Sequence, residues 1–156
     1  MNLSPPRSPA VPAGGARHLN KVRMMRRLLI VTALLELGAG AALLALPSRT
    51  VLLLLGEPLD APAAVAVGRV GGSALLALAV ACWLASYDAQ SCAARGVVSA
   101  MVLYNLGATL VLGLAGTRLQ PVGIGLWPAV ALHAAMTVWC VAALLRKSSQ
   151  VIAKPI

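Results

Sequence analysis

The chain contains no phenylalanine, and Trp and Tyr together make aromatic residues only 3% of its 156 positions. Single-stranded nucleic acids are held by aromatic stacking platforms, and this sequence has almost no material for them. Acidic residues number four, Glu36, Glu57, Asp60 and Asp88, against thirteen Lys and Arg, so the net charge is +9. That charge is not a nucleic-acid footprint, because the basic residues flank apolar runs instead of forming one basic face. Cysteine is scarce too: Cys82, Cys92 and Cys140 form no CxxC and have no paired histidines beside them. Such a set provides neither a disulfide framework nor a zinc site, and the three read as small packing residues. No nucleophile–base pair or metal triad is legible. A catalytic role, a bound metal and a nucleic-acid partner are therefore not expected.

What the sequence has in abundance is apolar surface. Hydrophobic residues make up 60% of it, the mean hydropathy is +0.86 and only 11% of residues are charged. One domain of this length has too little interior to hide that surface, so the excess must face lipid. Residues 1–16 are rich in Pro, Ser, Gly and Ala and read as a disordered tail. A basic juxtamembrane segment, 17–27, follows and leads into an apolar run at 28–46. That run is too long for a signal-peptide core of roughly 7–15 residues and carries a carboxylate, Glu36, so it reads as a retained membrane helix. Further apolar runs cover 61–86, 96–116 and 122–145. Each approaches the ~20 residues that cross ~30 Å of hydrocarbon. Backbone polar groups in lipid must bond within their own segment, so these runs are helices. The fold class expected is all-α: an integral membrane four-helix bundle over 28–146 with short loops, followed by a cytoplasmic tail at 147–156.

The basic residues orient it. Arg7, Arg17, Lys21, Arg23, Arg26, Arg27, Arg95, Arg146, Lys147 and Lys154 fall on one side, and only Arg49 and Arg118 in the loops of the other. Arg69 lies inside a helix. The positive-inside rule then places both termini in the cytoplasm. Trp83 and Tyr87 at one membrane face and Trp127 at the other suit the aromatic belts. In the first outer loop, Ser48 is placed to cap a short interfacial helix through Val51–Leu55, ended by Gly56 and Pro58. A plain loop packed on the bundle fits that stretch equally well. Glu36-Leu37-Gly38-Ala39 is echoed by Asn105-Leu106-Gly107-Ala108, which hints at a duplicated hairpin.

Each helix carries one strongly polar residue near mid-membrane: Glu36, Arg69, Asn105 and His133. An ionisable group there costs roughly 2.5–3.5 kcal/mol or more, so such groups turn inward and find partners. A hydroxyl lies four residues from each on the same helix face: Thr32, Ser73, Thr109 and Thr137. Depth, counted at about 1.5 Å per residue from the inner edge, puts Glu36 and Asn105 at ~12 Å, His133 at ~18 Å and Arg69 at ~24 Å. A Glu36–Arg69 ion pair is thereby disfavoured. Two layers are expected instead, Glu36 with Asn105 and Arg69 with His133. They offer a site for a proton, an anion or a small ligand such as a quinone head-group, or else plain interhelical glue. Gly68 and Gly72 form a GxxxG that lets helices approach closely, within the chain or between two copies.

Leu35–Gly40 with Pro47, then Gly68–Gly72, Tyr104-Asn105, and Leu126-Trp127-Pro128 ahead of His133 resemble small bacterial four-helix membrane proteins of DoxX-like layout. The resemblance spans roughly residues 25–146. It implies a bundle in the bacterial inner membrane, some of whose relatives serve as membrane subunits beside quinone-linked redox enzymes. Two functions follow as expectations. One is a non-catalytic accessory or scaffold subunit of a larger membrane complex, with no cofactor beyond contact with a quinone or lipid, and with other membrane subunits or itself as partner. The other is a small proton-coupled transporter working as an oligomer, with Glu36 titrating.

Overall fold

A computed structural model describes residues 13–119 and 121–145. These are helical, without strands: α1 (Ala13–Ala45), α2 (Pro47–Leu55), α3 (Pro62–Ala85), α4 (Cys92–Arg118) and α5 (Leu126–Leu145). Four of them are long and apolar enough to cross a membrane, with α1 contributing Val22–Ala45. The protein is a small multi-pass membrane protein. The expected tail positions 1–12 and 147–156 lie outside the described residues.

Local chemistry sets the helix ends. Leu46 leaves the helical region (φ −131°, ψ 56°), and Pro47 restarts the chain as the first residue of α2. Proline suits that position because its missing N–H would have had no partner in the first turn. Ser48 does not cap α2: it already lies within the helix, and its hydroxyl instead donates to the Leu59 carbonyl at 2.8 Å. Gly56 ends α2 in the left-handed region (φ +86°), with its N–H on the Leu52 carbonyl at 2.9 Å. That is the αL stop for which glycine is favoured. Ser91 caps α4 by accepting from the Ala94 amide at 3.0 Å, while its own hydroxyl donates to the Asp88 carbonyl.

Three boundaries differ from the sequence expectation. Helix α1 starts at Ala13, so it includes the whole basic segment and the last residues assigned to the tail. Arg23, Arg26 and Arg27 project outward while Met25, Leu28 and Leu29 are buried, so the charged stretch is one face of a helix. Helix α4 starts at Cys92, four residues before its apolar run. Residues 122–125 are not helical. Gly123 and Gly125 have no side chain to hold that segment off α2, and the Gly125 amide donates to the Leu53 carbonyl at 2.8 Å.

Packing divides the bundle into two antiparallel hairpins. Helix α1 packs most extensively on α3, and α4 on α5, whereas contact between the hairpins is sparser. The α1–α3 crossing rests on glycine. A methyl group on Gly72 would sit 2.6 Å from the Leu44 amide nitrogen and 2.8 Å from the Gly40 carbonyl oxygen. The GxxxG of α3 is thus used inside the chain, and its counterpart on α1 is Gly40.

The core is concentrated at one end. Met25, Leu28, Leu29 and Ala33 of α1 meet Cys82 of α3, Val98 and Met101 of α4, and Met136, Cys140 and Ala143 of α5. This is the end that carries Arg23, Arg26, Arg27 and Arg95, and it is called the basic end below. At the opposite end the hairpins are roofed by α2 and the 121–125 segment.

Candidate intramembrane polar site

Just beyond that core, four polar side chains gather at one level. Asn105 of α4 is buried. Its amide nitrogen donates to the Met101 carbonyl at 2.8 Å, and its Oδ1 meets Nδ1 of His133 on α5, also at 2.8 Å. The His133 ring stands edge-on to Tyr104, with centroids 5.6 Å apart and planes at 82°. The Tyr104 hydroxyl in turn lies beside the Glu36 carboxyl group of α1. Glu36 is 5% exposed, and its Oε2 is the one buried side-chain polar atom among the described residues without a hydrogen-bond partner. The order Glu36–Tyr104–His133–Asn105 therefore runs from the first hairpin into the second.

These pairings replace the two layers expected from depth. Asn105 bonds His133, not Glu36, and Glu36 faces Tyr104. The cause lies in the helix ends. Counted from Cys92, Asn105 lies about 20 Å along α4, level with His133 at about 18 Å from the far end of α5 and Glu36 at about 21 Å from Val22. Measuring from the start of the apolar run had made Asn105 too shallow. Arg69 joins neither layer. It is exposed, lies only about 10 Å from the start of α3, and forms no ion pair among the described residues. A long side chain at that depth can carry its charge to the headgroups along its own stem.

Three of the four hydroxyls have a more local role than expected. Ser73, Thr109 and Thr137 donate to the carbonyls of Arg69, Asn105 and His133, each one helical turn back. This back-bonding satisfies the hydroxyl within its own helix and leaves the polar side chains free to pair across helices. Thr32 is buried one turn from Glu36. Tyr104 is the member that sequence reasoning passed over as a site residue. Its adjacency to Asn105 puts it on a neighbouring face of α4, and that was the available signal. Of the cysteines, Cys82 and Cys140 are buried in the core, while Cys92 is exposed.

On the α2 side of this polar level the hairpins part to leave a cavity of about 540 Å³, open along the side where Leu103 and Val111 are exposed. Its wall is apolar apart from Tyr104, Thr50 and His133, with Leu43 of α1, Leu54 of α2, Leu75 of α3 and Leu112 of α4 among its members. Tyr104 and His133 are the polar groups at its floor. Thr50 adds no free polar group, because its hydroxyl is within hydrogen-bonding distance of the Ala42 and Leu46 carbonyls. The size falls within the roughly 300–1,000 Å³ of small-molecule sites, and an apolar wall with few polar groups is their usual chemistry. Among the described residues no three His, Cys, Asp or Glu side chains converge as a metal site would require. Comparison with protein-family models, curated proteins and solved structures finds no match to this chain.

Proposed function

We propose that the chain is a non-catalytic accessory subunit of a larger complex in the bacterial inner membrane, with both termini cytoplasmic. Its own contribution is to hold a small amphipathic molecule, of the quinone or lipid kind, between its two hairpins. One observation carries this reading: Tyr104 and His133 of the polar level line a largely apolar cavity about midway along the spans. Ionisable and polar groups at such depth normally mark functional paths or sites. The distribution of Lys and Arg supports the orientation.

The test is purification of the full chain in mild detergent, followed by identification of what accompanies it. Partner subunits and a stoichiometric amphiphile are expected. Ala108→Trp, which fills the cavity from α4, should remove the amphiphile and leave the partners. A chain that purifies alone and empty contradicts the proposal.

A second reading is favoured by Glu36, whose buried Oε2 lacks a partner. A carboxylate in that position is suited to taking up and releasing a proton, as a small proton-coupled transporter working as an oligomer would require. Glu36→Gln should then abolish pH-dependent flux in proteoliposomes. Unchanged flux would dismiss the transporter.

A further inference from the structure

The cavity's polar floor is not neutral in its preference for ligands, because the hydrogen bonds behind it fix which atom carries the proton. The Met101 carbonyl can only accept. The Asn105 atom facing it at 2.8 Å must therefore be the amide nitrogen, and Oδ1 is left to face His133 Nδ1. Rotating the amide by 180° would set two acceptors against each other at Met101. Oδ1 is itself only an acceptor, so Nδ1 of His133 carries the hydrogen. A neutral imidazole has one N–H, which leaves Nε2 as a bare acceptor.

Among the described residues Nδ1 makes the one hydrogen bond of the His133 ring, and Nε2 has no partner. It is not among the buried unpartnered atoms either, a group whose one member is Glu36 Oε2. His133 lines the cavity, and Nδ1 is held by Asn105, which does not line it, so Nε2, on the other side of the ring, is the nitrogen left to a ligand there. Of the other polar side chains on that wall, Thr50 bonds backbone carbonyls and the Tyr104 hydroxyl lies beside the Glu36 carboxyl group. An apolar pocket with one open acceptor favours a molecule that brings a donor. A molecule that brings only acceptors must lose their hydration without replacement.

We infer that the cavity selects a neutral amphiphile whose head is a hydroxyl donating to Nε2 of His133, with an apolar body between Leu43, Leu54, Leu75 and Leu112. The inference rests on the cavity reading above and sharpens it. A reduced, hydroxyl-bearing ring fits, and its oxidised carbonyl form does not. A neutral lipid with a free hydroxyl presents the same chemistry.

The test uses the full chain in phosphatidylcholine nanodiscs and three probes: 4-octylphenol, 4-octylanisole, in which a methoxy group replaces the hydroxyl, and dioctanoylglycerol. The phenol should bind about tenfold more tightly than the anisole, the scale of one well-formed hydrogen bond. In His133→Phe the phenol should fall to within about twofold of the anisole, whose own affinity is retained. Tighter binding of dioctanoylglycerol than of the phenol assigns the hydroxyl to a lipid, and the reverse order to an aromatic ring. Equal binding of phenol and anisole to the native chain overturns the donor inference while the cavity reading stands. So does discrimination that survives His133→Phe. Binding of none of the three probes overturns the cavity reading as well.

Discussion

Oδ1 of Asn105 and Nδ1 of His133 meet at 2.8 Å across the α4–α5 interface. This is a direct side-chain hydrogen bond between two membrane-spanning helices, with one partner fully buried. Such bonds average about 0.6 kcal/mol, with a maximum near 1.7, because the separated helices also find partners in the membrane. Asn105→Leu should therefore lower stability by about 1 kcal/mol in a detergent unfolding titration. The double-mutant cycle with His133→Phe should return a coupling near 0.6 kcal/mol. Arg69→Gln, exposed and outside the cluster, should stay within about 0.5 kcal/mol of the native chain.

Helix α1 and helix α3 touch through Gly40 and Gly72. Gly72→Ala should cost about 1–3 kcal/mol, the range for an added methyl in a packed interface. Gly113 makes the contrast, since a methyl there meets nothing within 4 Å. Gly113→Ala should be neutral or stabilising by up to about 1 kcal/mol, because alanine is the better helix former. Thermal midpoints of the two variants compared with the native chain decide the matter.

The roof over the cavity depends on two other glycines. A methyl on Gly56, already at φ +86°, would collide with the Pro121 carbonyl, and one on Gly123 with the Leu53 carbonyl. Gly56→Ala and Gly123→Ala should each destabilise the contact by about 1–3 kcal/mol. Hydrogen exchange of the Gly125 amide, which donates to Leu53, should quicken in both. Exchange in the α4–α5 core should be unchanged.

Cys92 offers a test of sidedness. It is exposed at the basic end, while Cys82 and Cys140 are buried. A membrane-impermeant maleimide should label Cys92 in inverted membrane vesicles and leave intact spheroplasts unlabelled. The opposite pattern would place the basic end outside.

The four spans were legible in the sequence because a long apolar run has few alternatives in water or lipid. The short α2 was half legible. Gly56 and Pro58 marked its end, but Pro47, not Ser48, determines its start. The helix ends were not legible where charge and burial alternate. Arg26 and Arg27 mask the buried Met25 and Leu28, since composition averages both faces of a helix. That averaging also displaced Asn105 in depth and paired it with the wrong helix. Which of the side chains singled out meet depends on hairpin packing, to which no single run contributes a signal. Arg69 shows the limit of the rule that charges turn inward: near a helix end, headgroup water is an alternative partner.

The division into two hairpins has a consequence for how the chain is made. Its heaviest packing joins successive membrane spans, α1 with α3 and α4 with α5, so the first hairpin can close around Gly40 and Gly72 before α4 has left the ribosome. The second hairpin likewise brings Asn105 to His133 on its own. Glu36 meets Tyr104 only when the two finished halves dock. The bridging contact of the polar level is therefore a product of the last step of biogenesis, and a chain halted after α3 would be well inserted and yet lack it.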